Sequence, residues 1–404
     1  MLPHERPGPC LNLPYVVVSS ARLSNPARHS LKGIRELLWV LLGKFLYFCE
    51  KGQPVIRLSE FLPPRPESDW KLIKQAGVND IVGILNGGEH DRTMFQSVGG
   101  SGWEPDDRDE PPWGLKAITH DREVFERWGF NLVAIEDTVP MDKIRFGHEG
   151  RDEQIDQVIE QIHAMGALGI EVLSYNWMAC GSWARTDIAI PDRGGALVTG
   201  YHRATAQARP PLLGPAGTNA EQMWNALAYF LEAVIPEAEK SGVRLALHPD
   251  DPPQSVDRGV PRIMSSVASF QRVAELSPSE SNGFTFCQGN FALMEEIVSG
   301  QVTMAEVIRD FGASRIPFVH FRDVRGTVEQ FQETFHDDGQ TDMAECLRAY
   351  YDIGFEGVMR PDHVPTLEGE SNDRPGYHML GRLFALGYIR GLEHSAYGHP
   401  STFA

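Results

Sequence analysis

The sequence predicts a single (β/α)8 barrel of the α/β class with long βα-loop insertions at its C-terminal face. Three observations carry this. From about Val55, short β-branched or aromatic runs alternate with segments of helical period. Glycine stands just past the end of several of those helical segments. The long irregular stretches all follow a strand and precede a helix. A chain of 404 residues has material for one enlarged barrel domain.

In chain order, strands are predicted over Ile56–Phe61, Asp80–Leu85, Asn131–Glu136, Glu171–Asn176, Arg244–His248, Gly283–Gln288, Pro317–Arg322 and Gly357–Asp362. Helices are predicted over Ser68–Ala76, Arg122–Trp128, Glu153–Leu168, Ala220–Lys240, Val267–Leu276, Met304–Phe311, Met343–Tyr351 and Tyr377–Leu392, each with apolar residues three or four apart. Gly77, Gly129, Gly169, Gly242 and Gly354 close five of them, at positions where a left-handed residue ends a helix cheaply. Insertions are expected over Gly87–Thr119, Met178–Thr218, Asp250–Met264, Val324–Gln340 and Val364–Gly376. In a barrel these five loops share the face on which active sites are assembled.

Residues 1–53 break the pattern, with scattered Pro and Arg and no alternation, and read as an extension that is loosely attached or helical; residues 54–404 read as the barrel. The apolar stretch Leu37–Phe48 is interrupted by Lys44, is too short to span a bilayer, and no small-residue cleavage site follows it cleanly. A net charge of -18 repels nucleic-acid phosphates and anionic membrane surfaces, so neither is an expected partner, whereas an acidic small molecule in a locally positive pocket is compatible. Five scattered cysteines with no CxxC pair suit a reducing cytoplasm. Homo-oligomerisation stays open.

The chemistry is read from strand ends. His248 ends the fifth predicted strand, Cys287 and His320 lie at or near the ends of the sixth and seventh, and Asp362 ends the eighth. Each alone is commonplace: a structural histidine, a cysteine packed as a small apolar residue, an aspartate paired with a nearby arginine. Four donors on four consecutive strand ends converge on one point, and imidazole, thiolate and carboxylate together bind Mn²⁺, Fe²⁺, Co²⁺ or Zn²⁺ without selecting one. The run Ser97–Gly102 is glycine-rich but lacks phosphate-loop and dinucleotide spacing, and reads as a lid segment. No nucleophile elbow is visible.

The segments Leu247–Pro253, Phe284–Gly289, Phe318–Val324 and Arg360–His363 resemble the signature blocks of the mannonate dehydratase family, and the likeness extends to Tyr175–Met178, Arg185–Asp187 and Gly376–Gly381. It covers roughly residues 55–392 in order. The resemblance implies dehydration of D-mannonate to 2-keto-3-deoxy-D-gluconate on a xylose-isomerase-like barrel that depends on Mn²⁺ or Fe²⁺. It implies the same four ligands, His248, Cys287, His320 and Asp362, and marks His363 and Tyr377 for acid and base work, in roles left unassigned between them. Val364 stands where glycine is expected, and Pro365–Glu370, Cys180 and Gly181 also depart from the family pattern, which bears on substrate choice.

Such a reaction needs a Lewis acid at the carboxylate, a base for the C2 proton and an acid for the departing 3-hydroxyl. Arg185 and Arg322 are candidates for the substrate carboxylate, because a guanidinium matches it in two-pronged fashion. His336, with Asp337 and Asp338, is a candidate for sugar hydroxyls, and Trp177 and Trp183 for shielding the pocket. Two rival readings are a sugar isomerase or epimerase on the same barrel and a non-catalytic sugar-acid-binding barrel. Cys287 at a ligand position speaks against the first, and retention of every ligand together with both acid–base candidates speaks against the second.

Overall fold

The computed structural model describes residues 56–87 and 110–397. The predicted extension over residues 1–53 and the glycine-rich run at 97–102 lie outside the described residues. Its strands are β1 (Arg57–Phe61), β2 (Asp80–Gly83), β3 (Asn131–Ile135), β4 (Val172–Asn176), β5 (Asp187–Pro191), β6 (Leu197–His202), β7 (Arg244–His248), β8 (Val256–Asp257), β9 (Val260–Pro261), β10 (Asn282–Cys287), β11 (Phe318–His320), β12 (Val324–Thr327), β13 (Gln330–Glu333) and β14 (Val358–Arg360). Eight of them close a parallel barrel in the order β1-β14-β11-β10-β7-β4-β3-β2, so each predicted strand is a barrel stave.

Side-chain alternation divides the staves between two cores. Ala246, Phe318 and Val358 face the barrel interior with Phe61, Val82, Val133 and Val172. Their neighbours Leu245, Leu247, Phe284, Phe286, Val319 and Met359 face the helical layer. The same period-two rule carries His248, Cys287 and His320 to the interior side at the strand C-termini. Helices at Leu115–Glu126, Arg151–Ala167, Ala220–Ser241, Val267–Leu276, Met304–Arg315, Met343–Asp352 and Met379–Tyr397 surround the staves. All five predicted closing glycines have positive φ, from 67° to 75°. Among the described residues, no helix is long and apolar enough to cross a membrane.

Two expectations are corrected. The insertions are not all irregular, because β12, β13, β6 and β5 join in a four-stranded sheet built from the loops after β4 and β11. The last helix starts at Met379, so Tyr377 lies two residues ahead of it, in the loop after β14 rather than on the helix.

Candidate active site

The staves set the donors side by side. Cys287 and His320 are register partners on β10 and β11, and His320 pairs in turn with Arg360 on β14. Donor atoms of His248, Cys287 and His320 all lie within 4.8 Å of one another. Asp362, two residues past β14, brings Oδ2 to 3.5 Å from His320 Nδ1 and 3.9 Å from Cys287 Sγ.

Hydrogen bonding around the two imidazoles decides what they offer. His248 Nδ1 lies 2.6 Å from the Pro249 carbonyl, to which it donates, leaving a lone pair on Nε2. His320 Nε2 lies 3.3 Å from Glu136 Oε1, which turns Nδ1 inward. The two inward nitrogens are 3.3 Å apart. Beside a carboxylate, two such nitrogens are held this close by positive charge between them, either a proton on His320 Nδ1 or a cation. Two nitrogens bound to one ion at about 2.1 Å are expected roughly 3 to 3.5 Å apart, so the donor set fits a shared divalent cation. The surroundings favour positive charge at this point: burial and Arg360 push the His320 imidazole down, but Glu136 and Asp362 hold it up at about 9.

An ionic network, buried except at the half-buried Glu136, supports this centre. Arg322 pairs with Glu333 at 2.7 Å, Asp251 at 2.9 Å and Asp362 at 2.8 Å. Arg185 pairs with Asp251 at 2.6 Å and with Glu333. Arg360 holds Glu136 at 2.9 Å and Asp362 at 2.9 Å. Burial raises the Glu333 carboxyl, but Arg322 and Arg185 outweigh it and hold the group at about 2. Gly289 is where the chain makes room, because a Cβ there would lie 2.6 Å from Arg322 Nη1.

His363 Nδ1 lies 3.0 Å from Glu333 Oε1 and 3.0 Å from Arg185 Nη2. The two hydrogens of that Nη2 already point to Asp251 and Glu333, so the imidazole donates to Glu333 and keeps Nε2 unprotonated. Burial lowers its pKa and favours the neutral ring. Trp183 lies against His363 with ring centroids 4.3 Å apart. Tyr377 Oη is 3.5 Å from Asp362 Oδ1, and burial, reinforced by Asp362, raises the phenol so that it stays protonated.

These groups open onto a cavity of about 440 Å³ whose wall includes His248, His320, Asp362, His363, Tyr377 and Trp183. The volume suits a small polar ligand. Cys287 stands behind that wall, fully buried, with only its sulfur directed to the cluster. Arg185, Arg322 and His336 do not line the cavity. Both guanidinium groups are taken by protein carboxylates, while His336 is buried apart from the wall with Asp337 on Arg193 and Asp338 on Arg325. Trp177 is buried against Phe230, away from that wall. Sequence reasoning missed Glu136 and Glu333. Glu136 follows β3 directly and was open to the same strand-end argument. Glu333 ends β13, and no local pattern marked it.

The fold and this site define a barrel with a charged centre facing a cavity at its C-terminal mouth, where barrel enzymes carry their active sites. A model of the D-mannonate dehydratase (UxuA) family matches residues 69–211 and 216–401. The mannonate dehydratase of Streptococcus uberis is 33% identical over 307 residues, covering 69% of this chain and 86% of that protein. The one from Thermotoga petrophila is 34% identical over 315 residues, covering 69% and 85%. Among solved structures, the mannonate dehydratase from Streptococcus suis serotype 2 superposes with a TM-score of 0.73 at 26% identity, over 85% of this chain and 94% of that one. The chain belongs to the D-mannonate dehydratase family and is a hydro-lyase.

Proposed function

We propose that this protein removes water from D-mannonate, or a close hexonate, to give 2-keto-3-deoxy-D-gluconate, with Mn²⁺ or Fe²⁺ held by His248, Cys287, His320 and Asp362. One observation carries the reading: two inward imidazole nitrogens 3.3 Å apart, next to a thiol and a carboxylate, on the cavity that also exposes His363 and Tyr377. A cation bound there supplies Lewis-acid polarisation of the substrate carboxylate and its neighbouring hydroxyl.

The protein's own groups divide the proton work. His363, neutral and with Nε2 unprotonated, is the base that takes the proton from C2. Tyr377, held protonated, is the acid that gives its proton to the 3-hydroxyl as that group leaves as water. The resulting enol rearranges to the 2-keto-3-deoxy acid. Trp183 covers the imidazole face and keeps water from it. Arg185 and Arg322 act as positioning residues: they fix Glu333 and Asp251, and Glu333 fixes the tautomer of His363. The free thiols of Cys180, Cys287 and Cys346 suit a reducing cytoplasm as the site of action.

The test is to purify the protein without oxygen, load it with Mn²⁺ or Fe²⁺, and assay a panel of hexonates for keto-acid formation. D-Mannonate is expected to be the best substrate, and Cys287→Ser is expected to fold but to bind metal at least about 10²-fold more weakly. Inert hexonates with both metals present would end the dehydratase reading.

A further inference from the structure

The cavity needs a second polar end. A six-carbon sugar acid presents its carboxylate and C2–C3 hydroxyls to the reacting groups and still carries three hydroxyl carbons beyond them. Among the described residues, the guanidinium groups on the cavity wall are those of Arg145 and Arg360. Arg360 has no donor to spare: Nε and Nη2 are on Glu136, and Nη1 is on Pro361 O and Asp362.

Arg145 differs. It sits in the short helix Asp142–Phe146 that follows β3, with only 11% of its side chain exposed. Nη1 donates to Asp142 Oδ1 at 3.0 Å, and Nη2 to Asn176 O at 3.0 Å and Oδ1 at 3.1 Å. Nε is buried without a partner, and one Nη1 hydrogen is left over. Nε is enclosed by protein, and the spare Nη1 hydrogen of this cavity-wall guanidinium is the donor left for an oxygen in the cavity, a ligand's or water's.

Its position is also right. β3 lies four staves from β11 in either direction round the eight-stranded ring, so the helix after it faces the His320 side across the mouth. Asn176, which anchors Arg145, is the register partner of His248 on the next stave, about 5 Å away between backbones. Arg145, Asp142 and Asn176 thus line the cavity from the β3 and β4 side, three and four staves from β14, which leads into His363 and Tyr377. They offer donors and acceptors together, and Asp142 balances the charge of Arg145. That mixture suits neutral hydroxyls, not a second anion.

We propose that Arg145, with Asp142 and Asn176, binds the distal hydroxyls of the substrate and sets the preference for a long neutral polyol tail. This rests on the sugar-acid reading of the site.

The test compares wild type with Arg145→Met, in metal-replete protein, on two ligands. One is D-mannonate as substrate; the other is L-erythronate, a four-carbon acid with the same C2 and C3 configuration, as inhibitor. Arg145→Met is expected to lower kcat/KM for D-mannonate at least 30-fold while moving the Ki of L-erythronate less than threefold, with bound metal and melting temperature unchanged. Arg145→Lys, which keeps a single cation, is expected to recover part of the loss and covers the case in which the methionine variant does not fold. Equal losses on both ligands would mean that Arg145 holds the carboxylate end or the local fold, and no loss on either would remove it from the site; each overturns the proposal. Faster turnover of the hexarate, whose tail ends in a second carboxylate, would overturn the polyol preference. A wild type that dehydrates D-mannonate while Arg145→Met matches it refutes this inference alone, whereas a wild type that neither turns over nor binds either acid refutes the sugar-acid reading and this inference with it.

Discussion

Replacing Glu333 by glutamine tests the division of proton work at its source. The carboxylate accepts from His363 Nδ1 at 3.0 Å, does not line the cavity, and is 1% exposed. Glutamine keeps its size and one acceptor oxygen, which Arg322 and Arg185 will hold. That oxygen takes the place of Oε1, which Arg185, Arg322 and His363 share, so the amide nitrogen falls at the Oε2 place, where it meets Arg322 Nη1 as a second donor, and the imidazole keeps its partner but loses the charge. With the charge gone, Nδ1 donates to a weaker acceptor and Nε2 becomes a weaker base, so kcat is expected to fall about 10-fold or more, short of the about 10²–10⁴-fold that loss of a positioned base costs. KM for D-mannonate is expected to stay within a few-fold, since Glu333 touches no cavity surface. Removing one charge from a buried cluster costs about 3–5 kcal/mol, and the isosteric amide places this variant at the lower end. At roughly 2.1 cal/mol/K per residue over about 350 residues, 3 kcal/mol lowers the melting temperature by roughly 4 °C. The assays are keto-acid formation under saturating D-mannonate, bound metal after anaerobic purification, and thermal melting by circular dichroism. A Glu333→Gln protein with normal metal content and wild-type kcat would refute the dependence of His363 on the Glu333 charge and the assignment of His363 as base.

Three further outcomes are expected. Tyr377→Phe keeps the ring that packs near Trp183 but removes the proton donor, so kcat falls about 10²-fold or more with metal binding intact; an undiminished rate would assign the acid elsewhere. Gly289→Ala puts a Cβ 2.6 Å from Arg322 Nη1, and the forced shift is expected to cost about 1–3 kcal/mol, read as a lower urea midpoint and reduced activity. In acid, Glu333 and Asp251 decide the slope: burial raises both, but their arginine partners hold Glu333 at about 2 and Asp251 well below the usual carboxylate range. A carboxyl depressed in the folded state gives stability that is complete above its unfolded pKa, near 4.5 for Glu333, and is lost as pH falls toward 2. Urea midpoints are therefore expected to drop between about pH 4.5 and 2, and a flat profile there would contradict the charged network.

The staves were legible because β-branched runs, helical period and closing glycines all describe local backbone physics. Arg244–His248 and Val267–Leu276 were predicted to the residue. His248, Cys287 and His320 were legible for the same reason, since period-two alternation makes a strand-end residue face the barrel axis. Glu333 and Arg145 were not. Their roles depend on where a loop sheet and a short helix come to rest, and Gln330–Glu333 is a four-residue strand whose pairing with β6 closes over more than a hundred residues. Arg185 and Arg322 misled for a related reason: an arginine near a pocket is matched to whichever carboxylate the tertiary fold brings closest, and here the fold brings Asp251 and Glu333.

This difference suggests how the barrel separates two tasks. The proposed cation donors come from β7, β10, β11 and the turn after β14, and backbone pairing sets the spacing of the stave ends. The proposed base, His363, is oriented instead from β13, in a sheet assembled from the loops after β4 and β11. A substitution at Glu333 acts on the proposed base directly, through His363, and on Asp362 only through Arg322. A network of charges is suited to the link: Arg322 touches Glu333, Asp251 and Asp362 at once, so a shift of the hairpin that moved Glu333 would leave Arg322 still held by two carboxylates of the barrel mouth.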